Sequence, residues 1–138
     1  MPRPRPALSA LTALALLTGG GVLTAAAPAS AAGYNGACGS GYKVVNSADL
    51  PGGAGTVFLT YNGSSGKNCA VTVRASKGAA KPMDVQLALA SKPGSAVLDT
   101  GDFTEYAGPV RLDAQGECVT WSGIIGGQAA GKARTNCG

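Results

Sequence analysis

The chain is short, at 138 residues, and lightly charged, with 11 basic against 7 acidic side chains; it holds four cysteines and no histidine. The missing imidazole excludes the ordinary Ser-His-Asp and Cys-His catalytic arrangements, and with them histidine metal ligation. The basic residues stand singly along the chain, so there is no nucleic-acid stripe and no polybasic membrane patch.

The first element is a leader. Arg3 and Arg5 form a short basic region, Ala7 to Thr18 is apolar, Gly19-Gly20-Gly21 weakens any helix, and Ala29-Ser30-Ala31 is a small-x-small cleavage signature. This predicts a signal peptide over residues 1–31, cut after Ala31. The alternative is an uncleaved anchor, but the apolar stretch is shorter than the roughly 20 residues a membrane helix needs. Cleavage leaves 107 residues, 32–138, enough for one domain with a modest core. It also removes two arginines, so nine basic residues face seven acidic ones, a net charge of about +2. No later segment is apolar and long enough to span a bilayer, so no membrane association is expected after cleavage.

Residues 32–41 are Gly-rich and irregular. Tyr42 to Asn46 is a candidate strand and Pro51 to Gly55 a loop. Thr56 to Tyr61 is β-branched or aromatic at nearly every position and reads as the clearest strand. Asn62 to Lys67 is a hairpin turn. Asn68 to Ala75 alternates, with Cys69, Val71 and Val73 on one face and Ala70, Thr72 and Arg74 on the other; the apolar set is expected to face the core. Lys77 to Pro82 reads as a loop. Met83 to Ala90 has some helical propensity, but its alternation and the prolines on either side favour a strand. Ser91 to Ser95 is a turn, Val97 to Tyr106 a weaker strand, Val110 to Leu112 another, and Cys118 to Trp121 a further one. After Gly123 to Gly127 only Ala133 to Cys137 is expected to be extended. About seven short strands at this spacing predict an all-β fold, a small antiparallel β-sandwich or barrel.

Cys38, Cys69, Cys118 and Cys137 form an even set in a short exported chain, which predicts two disulfides. Three pairings exist. Cys38–Cys69 with Cys118–Cys137 closes the shortest loops and staples both ends of the domain. A four-cysteine zinc site would need close ligand pairs, and no CxxC is present. No metal and no cofactor are expected.

Motifs for catalysis are sparse. Asp99, Asp102 and Glu105 lie within seven residues, and paired carboxylates serve glycoside hydrolysis or calcium binding. On an extended segment, however, Asp99 and Asp102 fall on opposite faces, and a solvated edge accounts for all three. Gly63 to Asn68 superficially resembles a phosphate loop, yet Tyr61 stands at the first Gly position, Asn68 replaces Ser/Thr, and a strand follows. Asn62-Gly63-Ser64 fits a glycosylation acceptor. The aromatics are the remaining handles for a ligand surface: Trp121, Tyr61, Tyr106 and Tyr42, with Tyr34. Trp121 stands beside Gly123 to Gly127, which would leave an indole face uncovered; the alternative is that Trp121 and Tyr61 fill the core.

Taken together, Cys38 to Tyr42 (Cys-Gly-Ser-Gly-Tyr), Thr56 to Asn62, Gly66 to Arg74, Tyr106 to Val110, Gly116 to Trp121 and the terminal Asn136-Cys137-Gly138 carry a resemblance. The chain resembles the spore-associated protein A family of filamentous, spore-forming actinobacteria, over nearly all of residues 32–138 and including all four cysteines. The likeness is weakest over 77–105. It implies export and association with spores, and it brings no catalytic residues.

The expected function is therefore an exported structural protein of the spore or cell surface, without catalytic activity. Its partner would be a spore or cell-wall component, polysaccharide included. The alternatives are a wall-polysaccharide-binding module using the exposed aromatics, or a secreted inhibitor or carrier presenting Pro51 to Gly55 or Ser91 to Ser95.

Overall fold

In the computed structural model the described residues are 32–138; the predicted leader lies outside them. Eight strands follow one another: β1 (Tyr42–Asp49), β2 (Gly55–Asn62), β3 (Lys67–Arg74), β4 (Lys81–Leu89), β5 (Lys92–Phe103), β6 (Tyr106–Asp113), β7 (Val119–Ile125) and β8 (Gln128–Thr135). A short 3-10 turn, Pro51–Gly53, separates β1 from β2. The strands pair antiparallel into two four-stranded sheets, ordered β1-β2-β3-β6 and β5-β4-β7-β8. The all-β expectation holds, with a sandwich rather than a closed barrel.

Alternation explains how the two sheets meet. Val57 and Leu59 of β2, Ala70 of β3, and Ala107 and Val110 of β6 face Met83, Val85 and Leu87 of β4 and Val119, Trp121 and Ile125 of β7 in one apolar interior. These side chains are removed from water on both sides, which supplies most of the driving force for folding.

The strand β3 corrects one expectation. Cys69, Val71 and Val73 do share a face, but it is the outer face of the first sheet, where they join Phe58 and Cys38 in a second apolar cluster. The irregular arm, residues 32–41, lies over this face. Ala32 N donates to Thr56 Oγ1 at 3.1 Å, the Tyr34 ring meets Phe58 edge-on at 5.6 Å, and Arg111 Nη2 donates to Cys38 O at 2.8 Å. The Cys38–Cys69 bridge fastens the arm. Seven of the eight β3 residues are therefore buried, because one face looks into the sandwich and the other lies under the arm. The smaller face, Ala70 and Thr72, points into the interior because the opposite sheet approaches closely there.

The second bridge, Cys118–Cys137, joins the approach to β7 with the end of the chain. Both favoured pairings are thus present, and no described cysteine is free.

Further boundaries differ from the sequence expectation: β1 runs on to Asp49, and the expected strand Val97 to Tyr106 is divided between β5 and β6 at Thr104-Glu105. Ala90-Ser91 forms the β4–β5 turn, with Leu89 opposite Lys92, so Pro93, Gly94 and Ser95 lie inside β5 as a bulge. Ser95 Oγ closes that bulge, donating to Lys92 O and accepting from Leu89 N. Proline is tolerated there because β5 is an edge strand. The segment 77–82 is partly strand, since β4 begins at Lys81. Finally, β7 runs through Gly123 to Ile125, and Gly126-Gly127, both at positive φ, turn the chain into β8. Gln128 to Ala130 are therefore extended as well.

Candidate functional site

The aromatic residues picked out from the sequence do not converge. Trp121 is 1 % exposed and belongs to the shared interior. Its Nε1 donates to Thr135 Oγ1 of β8 at 2.9 Å, so the one polar atom of the indole is satisfied. This corrects its assignment to a ligand surface: the ring offers no face to solvent, because β4 pairs on one side of β7, β8 pairs on the other, and the first sheet covers it. Tyr42 lies at the rim of the arm cluster, with the Arg111 guanidinium 5.6 Å from its ring centroid. Tyr106 is exposed and sits at the far end of the sheet, opposite Val73. Tyr34, in the arm itself, packs against Phe58.

Tyr106 borders a shallow cleft with Phe103 and Glu105, whereas Tyr61 lines a deeper, half-open cavity. The space, about 160 Å³, opens at one end of the sandwich between β1 and the end of the chain, and is bounded by Val45, Tyr61, Asn68, Ala114, Asn136 and the C-terminal Gly138, among others. Asn68, 2 % exposed, donates from Nδ2 to Thr60 O at 3.0 Å. Asn46 ties the two edge strands together across the mouth. Its Nδ2 donates to Asn136 Oδ1, and its Oδ1 accepts from Lys132 Nζ. A bulge between Val44 and Asn46 turns Val45 toward the opening. Cavities of this size admit a benzene-sized guest, well below the usual pocket for a drug-sized ligand. The bounding side chains supply a phenol, carboxamides and apolar surface. Asn68 and Asn136 carried no sequence signal for this role: a carboxamide on an alternating strand reads the same whether buried or exposed, and Asn136 lies just beyond the end of β8.

The acidic trio is dispersed. Asp99 Oδ2 accepts from Gly108 N at 2.8 Å, closing the β5–β6 edge between the two sheets. Asp102 and Glu105 are exposed. Among the described residues, no three of His, Cys, Asp and Glu come together as a metal site.

The turn at 62–67 is built by its own asparagine. Asn62 Oδ1 accepts from Ser64 N at 2.9 Å and Ser65 N at 3.2 Å, and Gly66 N donates to Asn62 O. The amides that a phosphate loop would offer a ligand are thus directed into the turn. The same contacts bear on Asn62 as a glycosylation acceptor, because its carboxamide is engaged. Of the two loops considered for inhibition, Pro51–Gly53 is a 3-10 turn and Ser91 to Ser95 is the turn and bulge described above.

No protein-family model matches the chain and no solved structure matches it. The chain is 46 % identical over 133 residues to Spore-associated protein A of Streptomyces coelicolor, an alignment that covers 93 % of this chain and 85 % of that protein.

Proposed function

The chain belongs to the spore-associated protein A family, and on that premise we propose that it is an exported, non-catalytic structural protein of the spore or cell surface. The observation that carries the reading is the double cover of β3. With the opposite sheet on one side and a disulfide-fastened arm on the other, the centre of the first sheet is shielded from proteases and solvent. A second bridge holds the end of the chain. Bridges of this kind persist in oxidising, extracellular surroundings, in keeping with the leader over residues 1–31.

The test is localisation. Antibody labelling of intact spores and of culture medium, with a deletion strain as control, is expected to find the protein on spores and to show altered spore resistance in the deletion. Protein recovered only from the medium would overturn the reading.

A second reading, a wall-polysaccharide-binding module, is favoured by one observation: Tyr61 and Asn68 border the same cavity. Purified protein is mixed with peptidoglycan and with chitin, sedimented, and quantified in the pellet. Binding that Tyr61→Ala abolishes would support this reading; binding unchanged by that substitution, or none, would remove it.

A further inference from the structure

The end of the sandwich opposite the Tyr61 cavity holds a cation in an unusual setting. Arg74 is the last residue of β3 and is 8 % exposed. Its side chain runs between the sheets, on the face shared with Ala70 and Thr72. The hydrogen bonds of its guanidinium to described residues both leave from Nη1, to Ala79 O at 2.9 Å and Phe103 O at 3.1 Å. These acceptors are neutral. They hold the loop after β3 and the end of β5 in place, but they do not neutralise the charge, and a buried charge is costly unless it is compensated.

The other nitrogens are not sealed in. Thr72 Oγ1 is the one buried side-chain polar atom without a partner among the described residues. Nε and Nη2 of Arg74 have no described acceptor, so they are where the side chain reaches solvent. Arg74 also borders a shallow cleft of about 360 Å³, whose lining includes Ser76, Lys81, Gln128 and the two glycines of the 3-10 turn, Gly52 and Gly53. Among the described residues no carboxylate lines the cleft. Lys81 is the first residue of β4 and exposed, so a second, mobile cation flanks the fixed one.

We infer that this cleft is a binding site for an oxyanion, a phosphate or carboxylate group, held by the Arg74 guanidinium and flanked by Lys81. A planar guanidinium clamped through Nη1 presents its remaining N–H groups in a fixed fork, the geometry that suits a two-oxygen acceptor. Lys81 adds a flexible point charge, and Ser76 and Gln128 add neutral donors. The inference stands apart from the structural role proposed above, because it rests on one charge and its surroundings.

The experiment is a titration of the purified, oxidised protein, 15N-labelled, followed by NMR. Inorganic phosphate and acetate are added separately, each against chloride at matched ionic strength. The expected result is saturable movement of the Arg74 Nε–H signal and of the Ser76, Lys81 and Gln128 amides, with affinity lowered about tenfold in Lys81→Gln, the size of one charge-assisted contact. Saturation with phosphate alone assigns the site to phosphate groups, with acetate alone to carboxylates, and with both to oxyanions generally. Movement that stays linear with concentration, that spreads over the other lysines, or that is unchanged in Lys81→Gln would overturn the inference. Arg74→Gln removes the loop clamp as well as the site and is informative only if the protein still folds; Lys81→Gln leaves the clamp intact.

Discussion

Thr72 of β3 and Gly123 of β7 meet across the interior so closely that Thr72 Oγ1 stands where a side chain on Gly123 would have to go. Val57 Cγ2 would lie only 2.7 Å from that same carbon. The Thr72 hydroxyl is buried there without a hydrogen-bond partner among the described residues. Two consequences follow from one contact. Gly123→Ala overpacks the interior and is expected to lower stability by about 2 kcal/mol. Thr72→Val keeps the shape, removes the orphaned hydroxyl, and is expected to raise stability by about 1 kcal/mol. Urea unfolding at constant slope measures both; a clear loss in Thr72→Val would mean that the hydroxyl is satisfied in solution.

Trp121 is the only tryptophan, so its fluorescence reports on the interior directly. Its emission is expected to be blue-shifted and weakly quenched by acrylamide in the folded protein. Thr135→Val strands the indole N–H, which donates to Thr135 Oγ1, and is expected to cost about 1–2 kcal/mol. Emission near that of free tryptophan would contradict the burial.

Removing the Cys38–Cys69 bridge, as Cys38→Ala with Cys69→Ala, is expected to cost about 3 kcal/mol. The local effect is more telling. With the arm released, Phe58, Val71 and Val73 lose their cover, and limited proteolysis is expected to cut within residues 32–41 before any other site. Initial cleavage elsewhere would show that the bridge is not what holds the arm.

Asp84 makes stability depend on pH in an uncommon direction. It lies on the outer face of the second sheet, between Thr100 and Ile124. Burial raises its carboxyl above the ordinary value, and a backbone hydrogen bond with Ile124 opposes the rise in part. A folded-state carboxyl that is the weaker acid favours folding when protonated. The stabilisation is therefore complete in acid, below the unfolded value, and is lost as pH rises through the folded value. Asp84→Asn is expected to gain stability over the parent near pH 7 and to match it near pH 3. Because the side chain keeps contact with water, the difference is small. A parent and variant that differ equally at both pH values would exclude ionisation as the cause.

Legibility differed from element to element, for physical reasons. The stretch Thr56 to Tyr61 was plain because nearly every side chain in it favours a pleated strand. By contrast, β8 was half hidden: Gln128 to Ala130 carry no β-branched or aromatic side chain, and their extension comes from pairing with β7 through the Gly126-Gly127 turn. Pro93-Gly94-Ser95 carried the signature of a turn and became a bulge, because the tighter Ala90-Ser91 connection had already reversed the chain. Cavity residues such as Asn68 and Asn136 had no legible pattern at all, since they come from distant parts of the chain.

Alternation, cysteine count and turn chemistry are local properties, and they were enough to predict an all-β, twice-bridged domain and to favour, among three pairings, the one that closes the shortest loops. Which face of a strand becomes interior is not local. Cys69, Val71 and Val73 are the more apolar side of β3, yet they turn outward, because the sheets approach so closely at Thr72 and Gly123 that only the smaller side fits between them. The arm covers the apolar side, fastened there by the Cys38–Cys69 bridge and by its contacts with Thr56, Phe58 and Arg111. Packing across the two sheets decided those faces, buried Trp121, and left Arg74 charged at the mouth of a cleft.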